Sequence, residues 1–166
     1  ALMNNRIICY YQPIVNALTN EIDKYETLVR MIDKNGLIIP PMEFLDISKK
    51  TKLYSQITLE VIRQACNTFE NRSENFSVNL SIDDIKDPNT VYEIVKAITT
   101  TKTASRIIFE ILESEGIENY KEVSDFIIKM KALGAKIAIY DFGTGYSSLA
   151  YLKKMPLTEL KIDKSF

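Results

Sequence analysis

Several polar side chains lie near the ends of successive predicted strands. The acidic and amide members are Glu26, Asn79, Glu110 and Asp141, and the basic members are Arg30 and Lys161. Carboxylate and amide oxygens are hard ligands that suit Mg²⁺, Mn²⁺ or Ca²⁺. The two basic residues add positive charge where an anionic substrate would sit. Together these residue types predict metal-assisted attack of water on a phosphodiester.

The chain contains no histidine, and this narrows the possible chemistry. Imidazole is the commonest general base and transition-metal ligand near neutral pH. Catalysis would therefore depend on carboxylates, lysine, tyrosine or an oxygen-bound metal ion. Each acidic residue taken alone has another interpretation, as a helix cap or a salt-bridge partner, and Asn79 could bond the backbone in a turn. Their recurrence at successive strand ends is what favours a site.

The elements that position these residues alternate along most of the chain. Strands are predicted at residues 6–14, 21–30, 76–81, 106–112, 136–141 and 159–163, and helices at 42–50, 53–69, 88–100, 119–133 and 147–153. The first two strands flank a short turn, which predicts an antiparallel hairpin. The later strand–helix alternation predicts parallel strands with helices outside. Polar residues at the carboxyl ends of the strands favour an α/β, TIM-like (β/α) barrel over a Rossmann-like sheet.

Composition sets the broader expectations. With 166 residues and 46% apolar content, residues 1–166 should form one globular domain. The net charge of -1 argues against a basic surface that binds DNA. No apolar stretch is long enough to span a bilayer and no secretory signal is recognisable, so we expect a cytoplasmic protein without a membrane segment. Cys9 and Cys66 have no metal-like spacing and are expected to be buried, reduced thiols.

A series of short motifs resembles the EAL domain family of bacterial cyclic di-GMP phosphodiesterases. The matching segments are YQPIV at 11–15, ETLVR at 26–30, PMEF at 41–44, NLS at 79–81, EILES at 110–114, DFGTGYSSL at 141–149 and LKIDKSF at 160–166. They occur in the family's order across nearly the whole chain. The resemblance implies a TIM-like barrel whose first strand is antiparallel.

The resemblance also implies roles for individual residues. Glu26, Asn79, Glu110 and Asp141 would bind Mg²⁺ or Mn²⁺. Lys161 would act with Glu26 in catalysis by orienting the water or stabilising its deprotonation. Gln12, Leu28 and Arg30 would contact cyclic di-GMP. Glu113 would hold the loop at residues 143–148. In the family this loop serves dimer contacts, which implies a homodimer. Other signalling domains in the parent protein are expected partners.

Two departures from the family pattern bear on activity. Tyr140 stands where the family carries the first of two adjacent aspartates, which bridges two metal ions. A neutral phenol, with an ordinary pKa of about 10, does not replace a bridging carboxylate. The chain also provides about six of the eight expected strands, so the barrel is incomplete and the later motifs are absent. We therefore expect a fragment of a longer protein, or a barrel that another chain completes.

Three functional hypotheses follow. The first is a degenerate, catalytically impaired domain that binds cyclic di-GMP or a protein partner. The second is an active metal-dependent phosphodiesterase that hydrolyses cyclic di-GMP to linear pGpG. The third is a barrel scaffold without a ligand, which the presence of Gln12, Arg30 and Lys161 disfavours.

Overall fold

The protein is a mixed α/β chain, seen here in a computed structural model that describes residues 5–51, 53–142 and 157–162. The strands are β1 (Ile7–Val15), β2 (Ile22–Ile32), β3 (Ile38–Ile39), β4 (Asn75–Leu80), β5 (Ile107–Leu112), β6 (Lys136–Phe142) and β7 (Glu159–Ile162). The helices are α1 (Leu45–Lys50), α2 (Tyr54–Phe69), α3 (Ile82–Lys86), α4 (Pro88–Thr100), α5 (Glu113–Glu118) and α6 (Tyr120–Ala132). Among the described residues, no helix combines the length and the apolar character that a membrane span requires. The chain divides into two compact units, Ala1–Val78 and Asn79–Phe166.

The first unit is organised around the hairpin of β1 and β2. The two strands pair antiparallel, with Ile7 opposite Met31 and Gln12 opposite Glu26. The Asn16 carboxamide accepts hydrogen bonds from the backbone of the connecting turn, as short polar side chains do in such turns. β3 pairs antiparallel with β2, and β4 pairs parallel with it. The antiparallel hairpin predicted at the start of the chain is therefore confirmed.

One face of the hairpin packs on α2. The Cys9 thiol lies 3.9 Å from the backbone oxygen of Val61, and the Tyr11 hydroxyl is hydrogen-bonded to Thr68 at 3.0 Å. Tyr11 also meets Phe69 edge-on, with ring centroids 5.2 Å apart. Because successive strand residues point to opposite faces, this packing leaves the alternate residues of β1 and β2 on the other face.

The second unit contains the parallel strands β5, β6 and β7, paired in that order. The β5 residues from Ile107 to Ile111 are all buried, which is typical of a strand covered on both sides. Helix α4 buries Ile94 and Ile98, and α6 buries Ile127 and Met130. Each helix therefore directs an apolar stripe of 3.6-residue period inward and exposes its polar side.

Most predicted elements are confirmed within one or two residues at each end. The predicted helix at residues 42–50 is divided into a 3-10 turn, Pro41–Glu43, and α1, because two prolines constrain its first turn. The prediction missed three short elements, β3, α3 and α5. The predicted helix at residues 147–153 lies outside the described residues. Cys9 and Cys66, both among the described residues, form no disulfide bond; Cys66 is buried and Cys9 is half-buried.

Candidate functional site

Glu110 and Lys161 form an ion pair in the second unit. The Lys161 Nζ donates a hydrogen bond to the Glu110 Oε2 at 2.8 Å. The Glu110 side chain is 1% exposed and the Lys161 side chain is 30% exposed. A buried carboxylate needs a compensating partner, and a lysine that reaches in from a partly wet position supplies one.

The Glu110–Lys161 ion pair crosses β6, which lies between β5 and β7. Glu110 on β5 is level with Ala138 on β6, and Ala138 is level with Glu159 on β7. Lys161 lies two residues beyond Glu159 and so shares its face of the strand. β5 and β7 are separated by two strand spacings, about 10 Å, which a lysine side chain can span. Ala138 is fully buried, and its methyl group leaves room for that side chain.

An irregularity in β6 places two residues beside Lys161. Ile139 pairs with Leu160 and Phe142 pairs with Ile162. Tyr140 and Asp141 of β6 therefore lie together opposite one residue of β7, Lys161. Asp141 adopts a left-handed backbone conformation with φ of 57°. This is the geometry of a β-bulge, which redirects side chains and often accompanies functional sites. Asp tolerates the left-handed region better than most residues other than glycine.

The environment of one Glu110 carboxylate oxygen, Oε1, fits a bound cation. Its Oε1 atom is buried, and no residue in the described part of the chain donates a hydrogen bond to it. A buried carboxylate oxygen in that condition is costly unless a metal ion, a water molecule or a proton satisfies it. Among the described residues, no three acidic, histidine or cysteine side chains converge as a metal-binding group. The donor chemistry and the orphaned oxygen fit a divalent ion.

The segment after Asn79 is fixed by hydrogen bonds of the α3 helix. Ser81 is the N-cap of α3 and forms a capping box with Asp84, in which each side chain accepts a hydrogen bond from the other's backbone amide. The Ile82 amide donates to a Glu115 carboxylate oxygen at 3.0 Å. These bonds join the start of α3 to α5 and hold the chain just beyond Asn79. Neither Glu115 nor Asp84 was predicted from the sequence, although the pattern Ser-Ile-Asp-Asp at residues 81–84 is a capping-box signal for Asp84.

Glu113 does not continue the β5 strand. β5 ends at Leu112, and Glu113 is the first residue of α5. The chain therefore turns from strand into helix between Glu110 and Glu113. Glu113 is buried. Its predicted partner loop, residues 143–148, and the proposed dimer contact there lie outside the described residues.

The hairpin of the first unit brings the predicted nucleotide-contacting residues onto one face. Gln12 is opposite Glu26 in the β1–β2 register, and Leu28 and Arg30 follow Glu26 at two-residue steps. These four side chains therefore share the face that does not pack on α2. Glu26, Leu28 and Arg30 are all partly exposed. We call this set, Gln12, Glu26, Leu28 and Arg30, the hairpin face.

Glu26 was expected near the end of a strand, and the structure places it elsewhere. It is in the middle of β2, which continues to Ile32 because its second half pairs with β1 and β3. The parallel pairing of β2 with β4, however, ends at the Glu26–Ser77 position. Asn79, Glu110, Asp141 and Lys161 do lie in the carboxyl-terminal halves of their strands.

Tyr10 also lies on the hairpin face, and the sequence analysis did not select it. The Arg30 Cζ atom is 5.4 Å from the centre of the Tyr10 ring, a cation–π contact. The Arg30 Nη1 donates to the Val29 backbone oxygen at 2.8 Å. The alternation of side chains along a strand could have identified Tyr10, because Tyr10 and Gln12 are two residues apart on β1 and therefore share a face.

Comparison with known proteins matches this chain to one domain family and to named proteins. The EAL domain family matches the chain over residues 1–166. The cyclic di-GMP phosphodiesterase PdeA of Borreliella burgdorferi is 31% identical over 174 residues, which cover 100% of this chain and 26% of PdeA. This chain spans about a fifth to a quarter of the length of other curated relatives that it matches.

Solved structures show the fold class. The phosphodiesterase PaMucR, in a complex with c-di-GMP, superposes with a TM-score of 0.92 at 32% identity, covering 99% of this chain and 70% of that one. The FimX EAL domain from Pseudomonas aeruginosa, bound to c-di-GMP, superposes with a TM-score of 0.91 at 25% identity, covering 99% and 69%. These domains are TIM-like barrels, so the predicted α/β fold class is confirmed.

Proposed function

The chain belongs to the EAL domain family, and on that premise we propose that it binds cyclic di-GMP through the hairpin face and hydrolyses it poorly. Cyclic di-GMP carries two phosphodiester charges and two guanine edges. The hairpin face offers a cationic guanidinium, a carboxamide and an apolar side chain, which suit those groups. The cyclic di-GMP complexes of PaMucR and FimX support the same ligand for this chain.

The proposal of weak hydrolysis depends on Tyr140. It shares the β6 bulge with Asp141, beside Lys161, at the position where the family pattern has an aspartate. A phenol adds bulk there and supplies no carboxylate for a second metal ion. Asn79, Glu110 and Asp141 of the second unit would contribute ligands to a Mg²⁺ or Mn²⁺ ion, which when bound would activate water and offset charge on the phosphoryl oxygens. With Tyr140 in place, we infer that the site binds ions too weakly for efficient turnover.

The chain's own residues have defined tasks in this proposal. Lys161 fixes the Glu110 Oε2 by donating to it, so Oε1 is the oxygen that remains for a ligand. The left-handed backbone at Asp141 re-aims that carboxylate relative to a regular strand. Arg30 and Gln12 would hold the nucleotide on the hairpin face.

An active phosphodiesterase is the second candidate. The Glu110–Lys161 ion pair favours it, because a domain that had lost its chemistry would have no need to keep a buried carboxylate with an unpaired oxygen. PdeA and PaMucR, which are named as phosphodiesterases, also favour it.

The test measures binding and hydrolysis on the complete protein. Calorimetric titration with cyclic di-GMP is expected to show binding, which Arg30→Met weakens about tenfold or more because it removes a charged hydrogen-bond donor. Chromatography of the same mixture with Mg²⁺ or Mn²⁺ is expected to show little linear pGpG. Absence of binding would overturn the proposal, and rapid conversion to pGpG would establish the second candidate instead.

A further inference from the structure

Tyr10 presents an aromatic ring on the hairpin face. Tyr10 is 43% exposed although it lies in a paired strand. It is directly opposite Leu28 in the register, and Arg30 is the next residue on the same face of β2. Tyr10 therefore lies beside both residues proposed to contact the nucleotide from β2.

The Arg30 guanidinium is held by two contacts that leave its charge uncompensated. One is the hydrogen bond from Nη1 to the Val29 backbone oxygen, and the other is the Tyr10 ring 5.4 Å from Cζ. In the described part of the chain, no carboxylate forms an ion pair with Arg30. A carbonyl and an aromatic face orient a guanidinium without neutralising it.

Such an arrangement lowers the entropy lost on binding. A free arginine side chain samples many rotamers, and a ligand must immobilise it when it binds. A guanidinium that already rests on an aromatic ring has lost part of that freedom before the ligand arrives. The remaining donors of the planar fork stay available for a phosphate or a guanine edge.

We propose that Tyr10 is a positioning residue for ligand binding, whose ring holds Arg30 in the orientation that meets cyclic di-GMP. This inference rests on the proposed function, since it assigns Arg30 to the nucleotide. The face of the ring is the essential feature, and the hydroxyl group is not.

Variants of the complete protein test this by calorimetric titration with cyclic di-GMP. Tyr10→Leu is expected to weaken binding about fivefold, which is the scale of one exposed cation–π contact. Tyr10→Phe is expected to retain wild-type affinity because it keeps the ring. In an Arg30→Met background, Tyr10→Leu is expected to have no further effect, because the group it positions is gone.

A second readout separates positioning from a general effect on folding. NMR spectra of the ligand-free protein should show the Arg30 side-chain signals shifted by the Tyr10 ring current, with the shift kept in Tyr10→Phe and lost in Tyr10→Leu. Equal affinity of Tyr10→Leu and wild type would overturn the inference and leave the proposed function intact. An equal further loss in the Arg30→Met background would also overturn it, because Tyr10 would then act without Arg30. Failure of the wild type to bind cyclic di-GMP would overturn the proposed function, and this inference with it.

Discussion

Glu110 and Lys161 are joined across an intervening strand, with Nζ and Oε2 2.8 Å apart and Ala138 between them. The contact links residues 51 positions apart in sequence. It also fixes one carboxylate oxygen and leaves the other buried without a partner among the described residues. The stability of the second unit and the chemistry of the candidate site therefore depend on the same carboxylate.

The ion pair can be tested by removing the lysine. Lys161→Met should destabilise the protein by about 2 kcal/mol, because the buried Glu110 carboxylate loses its partner; the partial exposure of Lys161 keeps the value below that of a fully buried pair. Urea denaturation measures the change. Adding Glu110→Gln to the variant should recover part of the loss. If Lys161→Met were as stable as wild type, the pair would not be stabilising Glu110.

Ala138 should not tolerate a larger side chain. Ala138→Leu places extra methylene and methyl groups where the Lys161 side chain passes, and overpacking of this kind costs about 1–3 kcal/mol. The variant should lose stability in urea denaturation. In the Lys161→Met background the loss should be smaller, since the blocked contact is already absent. Equal losses in both backgrounds would show that Ala138 does not share space with the pair.

Phe69 should be a major source of stability in the first unit. Its ring stacks on Phe76 with centroids 4.5 Å apart and meets Tyr11 edge-on. Phe69→Ala should cost about 3–5 kcal/mol through lost burial and a cavity. Leu18→Ala is the matched control, because Leu18 is 95% exposed in the hairpin turn and should change stability by less than about 0.5 kcal/mol. Similar values for the two variants, measured by chemical denaturation, would contradict this packing.

The thiol of Cys9 should make the folded state sensitive to alkali. Burial against α2, reinforced by the Glu60 carboxylate and opposed by a Tyr11 hydrogen bond, raises the pKa of Cys9 from 9.0 to about 12. The folded state therefore favours the protonated thiol. Its contribution to stability is fully present below pH 9 and is lost as pH rises from 9 toward about 12.

Urea denaturation of wild type and Cys9→Ala between pH 8 and 10.5 measures this effect. The wild-type stability should fall more steeply across that interval than the stability of the variant. Burial also raises the pKa of Tyr11 to about 12, so part of the decline should remain in Cys9→Ala. Parallel curves for the two proteins would mean that Cys9 titrates alike in the folded and unfolded states.

Sequence periodicity was sufficient to predict the larger elements. The apolar stripe of α2 and the alternation of β1 and β2 are long enough for their period to be clear. The hairpin follows from the short turn between two strands, and it alone places Gln12 and Glu26 on neighbouring positions. The match to the family's motifs in order then predicted the residues of the candidate site, which stay a prediction.

The features that the sequence did not reveal are short helices and tertiary contacts. α3 has five residues and α5 has six, too few for a periodic signal, and α5 contains Gly116. The bulge at Tyr140 and Asp141 is visible only when β6 is aligned with β7. The Glu110–Lys161 pair likewise needs the register of three strands, because neither residue signals the other in sequence.

Tyr140 is the residue on which the account of activity depends most. Replacing it with aspartate restores a carboxylate to the bulge beside Lys161 and should raise Mg²⁺-dependent or Mn²⁺-dependent hydrolysis of cyclic di-GMP at least tenfold, equivalent to about 1.4 kcal/mol in the barrier. Tyr140→Phe is the matched control, since it removes the hydroxyl without adding a charge, and it should not gain activity.

The most direct test is therefore the initial rate of pGpG formation by the complete wild-type protein, Tyr140→Asp and Tyr140→Phe at saturating cyclic di-GMP and metal ion. If Tyr140 impairs the site, wild type and Tyr140→Phe should turn over slowly and Tyr140→Asp should show a clear gain. Rapid turnover by wild type, unchanged in Tyr140→Asp, would contradict it and show that this EAL domain is a competent phosphodiesterase with a tyrosine in its bulge.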